Sequence, residues 1–141
     1  MTASSGRALG WASERDFDSR LKNADPSGEL CSSARYWINR TLPALVREYF
    51  PRTGLKVLDL GCGDGGNGLL LAAEGFQGEY LGVDLFPSTY WPGRTLADAP
   101  LRRSYVAADA HALGSLNQRF NAILSITAFE HFADDERVLR A

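Results

Sequence analysis

The segment Val57-Leu58-Asp59-Leu60-Gly61-Cys62-Gly63-Asp64-Gly65-Gly66 limits the possible folds of this chain more than any other stretch. An apolar run enters a glycine-rich turn, and an apolar helical stretch over 67–74 opens directly after it and stops at Gly75. Glycine lets a backbone turn tightly and lets a ligand approach it closely. A strand that feeds such a turn and then a helix is the first unit of a parallel α/β sheet.

Three more short apolar runs follow Leu55–Leu60, at 80–84, 104–107 and 122–126, each bounded by turn or helix signals. Runs that are apolar on both faces suit buried parallel strands covered by helices. The expected fold is a Rossmann-like parallel sheet of order 3-2-1-4. Between the second and third strands lies a long loop over 85–101 with Pro87, Pro92 and Pro100, in which a weak helix is expected at 94–99. A short helix is expected at 110–116, and Asp134 is placed to cap a helix that still runs at Ala141. Before the sheet, residues 1–30 read as a polar arm with a short helix near 11–21. Residues 31–50 read as an amphipathic helix that Pro43 splits, with Thr41 capping the second piece and Pro51 and Gly54 ending it. The domain boundaries are set at 1–54 for arm and helices and 55–141 for an incomplete sheet domain.

With 141 residues, 45% of them hydrophobic, the chain supports one modest globular domain. A net charge of −2 and no Lys/Arg-rich run give no argument for nucleic acid or an anionic membrane as partner. Cys31 and Cys62 are too few for a disulfide framework or a zinc site, so no metal is expected. Met1 to Gly10 lack the apolar core of a signal peptide, and no stretch nears the roughly 20 apolar residues of a membrane span. A cytoplasmic protein is expected.

Gly61, Gly63 and Gly66 formally satisfy the dinucleotide pattern G-x-G-x-x-G, so the neighbouring charges must choose between ligands. A diphosphate favours a helix N-terminus free of anions. Here Asp59 and Asp64 flank the turn, with no Lys or Arg in the loop to offset them. S-adenosylmethionine carries a sulfonium and an ammonium against one carboxylate, and acidic surroundings suit that net positive ligand. No Lys-Ser/Thr pair follows the loop, which excludes a Walker-type phosphate loop. Asp84 ends the second strand, where an acidic side chain can hold a ribose diol. Asp109 follows the third strand, where a carboxylate can accept from an adenine amino group.

The order Val-Leu-Asp-Leu-Gly-Cys-Gly-Asp-Gly, Gly-Val-Asp, Ala-Asp-Ala, then a strand followed by Glu-His-Phe resembles the class I S-adenosylmethionine-dependent methyltransferases. Within them it looks most like the small-molecule branch that includes enzymes of the ubiquinone-biosynthesis type. The resemblance covers roughly residues 55–141 and implies a cofactor site between strands one and four. Asp59, Gly61 and Gly63 would line the methionine moiety, with Cys62, a small filler of the turn, counted among the cofactor-binding residues. Asp84 would take the ribose hydroxyls, with Leu85 against the adenine, and Asp109 with the Ala110 backbone would read the adenine edge. The segment before Glu130 would lie under the methyl donor. The implied reaction is methyl transfer to an oxygen, nitrogen or carbon of a small-molecule acceptor.

His131 is a candidate general base, read first as packing beneath the cofactor, and His111 reads as a surface residue. Trp11, Tyr36, Trp37, Tyr90 and Trp91 read as packing or anchoring residues ahead of a lid. Two other functions fit the sequence: a non-catalytic S-adenosylmethionine-binding module or truncated gene fragment, and an NAD-dependent oxidoreductase, which the loop charges disfavour. The family sheet has seven strands and this pattern has four. The fourth strand is therefore expected to present an open edge that invites self-association.

Overall fold

A computed structural model describes residues 33–140. The expected arm and the helix near 11–21 lie outside the described residues. Four parallel strands, β1 (Leu55–Leu60), β2 (Gly78–Asp84), β3 (Leu101–Ala107) and β4 (Ala122–Leu124), form one sheet of order β3-β2-β1-β4. This is the order expected from the sequence. The central pair aligns Asp59 with Gly82 and Leu60 with Val83. That register brings the glycine turn after β1 level with Asp84 at the end of β2.

The central strand is buried on both faces. Val57 packs on one side with Leu70 and Phe76, while Leu58 and Leu60 pack on the other with Val83 and Val138. Successive side chains of a strand point to opposite faces, so an apolar run with no alternation must be covered twice. The first face is covered by α1 (Ser33–Tyr49) and α2 (Gly66–Ala73); the second by a 3-10 turn (Ala110–Ser115) and the terminal helix.

Helix α1 runs through Pro43 without the expected split, and Thr41 sits inside it rather than capping a second piece. An interior proline costs about 3 kcal/mol through its lost hydrogen bond and ring clash. Leu42 and Val46 on the same turn are 5% and 2% exposed. Their burial offsets that cost at about 1.5–3 kcal/mol per side chain. The Arg47 Nη1 to Glu74 Oε2 ion pair at 2.8 Å then ties α1 to the end of α2.

The connector after β2 also differs. Its helix is α3 (Trp91–Arg94), ahead of the expected 94–99, with a proline in its first turn. Proline's fixed φ favours that position. Leu96 is drawn out of helical geometry because its N–H and carbonyl pair with Arg103 in an antiparallel bridge. The terminal helix α4 (Asp135–Arg140) is capped as expected, with the Arg137 N–H donating to Asp134 Oδ1 at 2.9 Å. No helix among the described residues is long and apolar enough to cross a membrane.

Candidate ligand-binding site

Beyond the carboxyl ends of β1 and β2 lies a cavity of about 680 Å³, where a parallel sheet that reverses its strand order places its ligand. Its walls bring together Gly61, Gly63, Asp84, Leu85, Asp109 and Ala110 from three separate loops. His131 stands on the opposite wall, beside Thr127, Ala128 and Phe132. Asp59 and Cys62, expected at the same site, stand behind the wall rather than on it.

Asp59 is fully buried. Its Oδ2 accepts from the Tyr80 hydroxyl and from Asn67 Nδ2 at 3.0 Å, so it fixes the loop from below. Burial, then the charges of Asp59 and Asp84, push the Cys62 thiol far above its ordinary pKa. It stays protonated, and a protonated buried thiol is no nucleophile.

The glycine turn itself is closed by its own hydrogen bonds. The N–H groups of Gly61 and Cys62 donate to the Val83 carbonyl at 2.8 and 3.0 Å, and that of Gly65 donates to Cys62 O at 2.9 Å. Gly63 N–H donates to Asp84 Oδ2 at 2.8 Å, and Gly66 N–H donates to Asp64 Oδ1 at 2.9 Å. Gly61 and Gly63 take left-handed φ values of 70° and 54°. A Cβ on Gly61 would fall 2.3 Å from that of Ala128, which seals the cavity floor. A Cβ on Gly63 would meet nothing within 4 Å, so this is the side of the turn open to a ligand.

No Lys or Arg within the loop offsets Asp59 and Asp64, but the fold brings a cation in from outside it. Arg94, only 5% exposed and reaching in from α3, pairs with Asp64 Oδ1 at 3.2 Å. Asp59 is committed inside the core, so Asp84 is the carboxylate of the three that lines the cavity.

Asp109 caps the 3-10 turn. Its Oδ1 accepts from the His111 N–H at 2.9 Å and meets His111 Nδ1 at 2.6 Å. The backbone bond first, and then the ring, hold this exposed carboxyl below its ordinary pKa. His111 is more than a surface residue. Its Nε2 accepts from the Asp134 N–H at 3.1 Å, and its ring meets Phe132 edge-on at 6.2 Å. The Asx pattern at 109–111 carried a signal for this brace. Phe86, 73% exposed on the cavity rim, and Thr127, at φ 51°, had none.

Among the expected aromatics, Trp91 anchors rather than lids. It is buried, stacks on Tyr105 at 5.7 Å and donates its indole N–H to Gly63 O at 2.9 Å. Tyr90 is exposed, with Arg94 over its ring. Trp11, Tyr36 and Trp37 lie outside the residues whose side chains are described.

Comparison with known proteins bears on this site. A family model described as Methyltransferase domain matches residues 57–141. The ubiquinone biosynthesis O-methyltransferase of Azorhizobium caulinodans is 35% identical over 96 residues, 67% of this chain and 37% of that protein. The protein of the same name from Sinorhizobium medicae is 35% identical over 86 residues, 60% of this chain and 34% of that one. The chain thus spans little more than a third of the length of these curated relatives. A solved structure, the plantazolicin methyltransferase BpumL in complex with SAH, shares the fold. Its TM-score is 0.51, over 96% of this chain and 50% of that one, at 16% identity.

Proposed function

The chain belongs to the class I S-adenosylmethionine-dependent methyltransferases, and from that premise we propose that its cavity binds the cofactor for methyl transfer to a small-molecule acceptor. The observation that carries the ligand reading is the occupied turn. The N–H groups of Gly61, Cys62, Gly63, Gly65 and Gly66 already have acceptors, so a diphosphate finds no cradle of amides there. A cofactor without phosphate needs none. The open face of Gly63 beside Asp84 fits such a molecule, and the cavity volume falls within the about 300–1,000 Å³ usual for ligand pockets.

In this reading Asp84 takes the ribose hydroxyls, and Leu85 covers the adenine. Asp109, through the oxygen not used by His111, and the Ala110 backbone read the adenine edge. Gly61 and Gly63 border the methionine end; Asp59 and Cys62 support it from behind. When bound, the cofactor supplies a sulfonium-held methyl group that an acceptor atom takes while the sulfur keeps the electron pair of the broken bond. The protein's part is alignment and exclusion of water. Ala128 sets the depth of the floor, and His131 on the far wall is positioned to receive an acceptor proton. The names of the two curated relatives favour oxygen as the accepting atom. Cytoplasmic location and self-association through the β4 edge, which pairs on one side with β1, complete the proposal.

Calorimetry with S-adenosylmethionine, S-adenosylhomocysteine and NAD is the test. Binding of the first two without NAD is expected; NAD binding tighter than S-adenosylhomocysteine would overturn the assignment.

A further inference from the structure

Three donors from the connector after β2 and from β3 converge on the back of the glycine turn. They take three consecutive carbonyls. Trp91 Nε1 donates to Gly63 O at 2.9 Å, Arg94 Nη1 donates to Asp64 O, and the Tyr105 hydroxyl donates to Gly65 O at 3.2 Å. We infer that Trp91, Arg94 and Tyr105 are positioning residues that hold the turn in its ligand-ready shape from the side opposite the cavity. This rests on the cofactor reading above and adds to it a device for affinity.

The packing supports the inference independently of the hydrogen bonds. The Tyr105 ring fills space that side chains at the neighbouring glycines would take. A Cβ at Gly65 would lie 2.4 Å from Tyr105 Cε1, and one at Gly82 would lie 2.7 Å from Cδ1. Trp91 stacks on the far face of that ring, with 16° between planes. Burial raises the Tyr105 phenol well above its ordinary pKa, so the hydroxyl remains a donor through the neutral range. Arg94 adds charge to the grip, because it pairs with the Asp64 side chain as well as its carbonyl.

A loop with free carbonyls must be ordered when its ligand arrives, and that ordering subtracts from affinity. Here the carbonyl side is occupied beforehand. None of the three residues lines the cavity, so their effect on a ligand passes through the turn.

The test is the double variant Trp91→Phe/Tyr105→Phe, which leaves an aromatic ring at each position and removes both donors, the second ring of the indole going with its N–H. Two readouts are taken on the folded protein: the dissociation constant for S-adenosylhomocysteine, and amide hydrogen exchange of residues 63–66 without ligand. We expect the dissociation constant to rise roughly tenfold, about 1.4 kcal/mol, as a turn that must be ordered on binding loses affinity. Faster exchange confined to the turn should accompany it, with a fall in Tm too small to account for the weaker binding. A dissociation constant within twofold of the parent together with unchanged exchange overturns the clamp, as does a weakening fully explained by a lower Tm. If the parent itself binds no S-adenosylhomocysteine, the functional reading fails, and the exchange arm alone decides the clamp.

Discussion

The two sides of the glycine turn follow opposite rules. Behind it, Gly65 and Gly82 are small because a tyrosine ring already occupies the space. In front, Gly63 is small with nothing near it. The glycines behind serve packing and the one in front serves access, although the sequence presents Gly63 and Gly65 as parts of one motif. A glycine motif is therefore not a uniform ligand signature, and each position carries its own reason for lacking a side chain.

That contrast breaks most readily by adding one carbon to each side. Gly65→Ala drives a Cβ into Tyr105 at a φ of 86°, so clash and backbone strain act together. We expect a loss of about 4 kcal/mol in chemical denaturation, from overpacking of about 1–3 and strain of about 1–3. Gly63→Ala meets only the strain and should cost about 1–2 kcal/mol, with ligand binding suffering more than stability. Equal costs at the two positions would erase the distinction.

Carboxylates sharpen it next. Asp84→Ala on the open side should cost roughly 2–4 kcal/mol of cofactor affinity, measured by calorimetry, because it removes charge-assisted bonds to a diol, and about 1 kcal/mol of stability, because the Gly63 N–H loses its acceptor. An unchanged dissociation constant would place the ribose elsewhere. Asp109→Ala should cost less, since water can replace one adenine contact.

On the closed side, Tyr80→Phe removes the hydroxyl that donates to buried Asp59. It should lower stability by about 2 kcal/mol, the scale of a buried polar group losing a partner. Its effect on ligand affinity should be the smaller of the two.

The gentlest probe is alkali. Burial raises Cys62, Tyr80 and Tyr105 above their ordinary pKa values. Between unfolded and folded pKa the native state binds more protons than the unfolded one, so stability falls as pH rises. It is fully present below the ordinary thiol pKa of 9.0 and declines above it. Thermal melts from pH 7 to 10.5 should show a flat stretch and then a fall. A Tm that climbs above pH 9 would contradict the burial of these groups.

Much of this fold was legible because its signals were local. β1 has the bounds its apolar run implied, and the parallel pairing follows from alternating strands and helices. β3 begins at Leu101, ahead of the expected 104, because an edge strand tolerates Arg102 and Arg103, which interrupt an apolar run. The run at 122–126 yields only Ala122–Leu124. Ser125 turns its hydroxyl to the Leu60 carbonyl at 3.1 Å and is not paired in the ladder. The cavity lining was legible where a residue's place depends on its own strand end, as at Asp84 and Asp109. The site was illegible where a role depends on a distant partner. Nothing near Asp64 announces Arg94, which offsets its charge, and nothing near Asp59 announces Tyr80, which helps hold that carboxylate in the core.

The clamp also carries a temporal consequence. Trp91, Arg94 and Tyr105 lie 28, 30 and 40 residues beyond the carbonyls they hold. When the turn itself is translated, the groups that shape it have not yet been made. Closing loops of that length precedes any reward from the contacts they bring. Competence for the ligand is therefore a late event on the folding path, reached only when β3 has joined the sheet. A ligand that selects the finished turn stabilises molecules that have completed that pairing and gives no help to those still short of it.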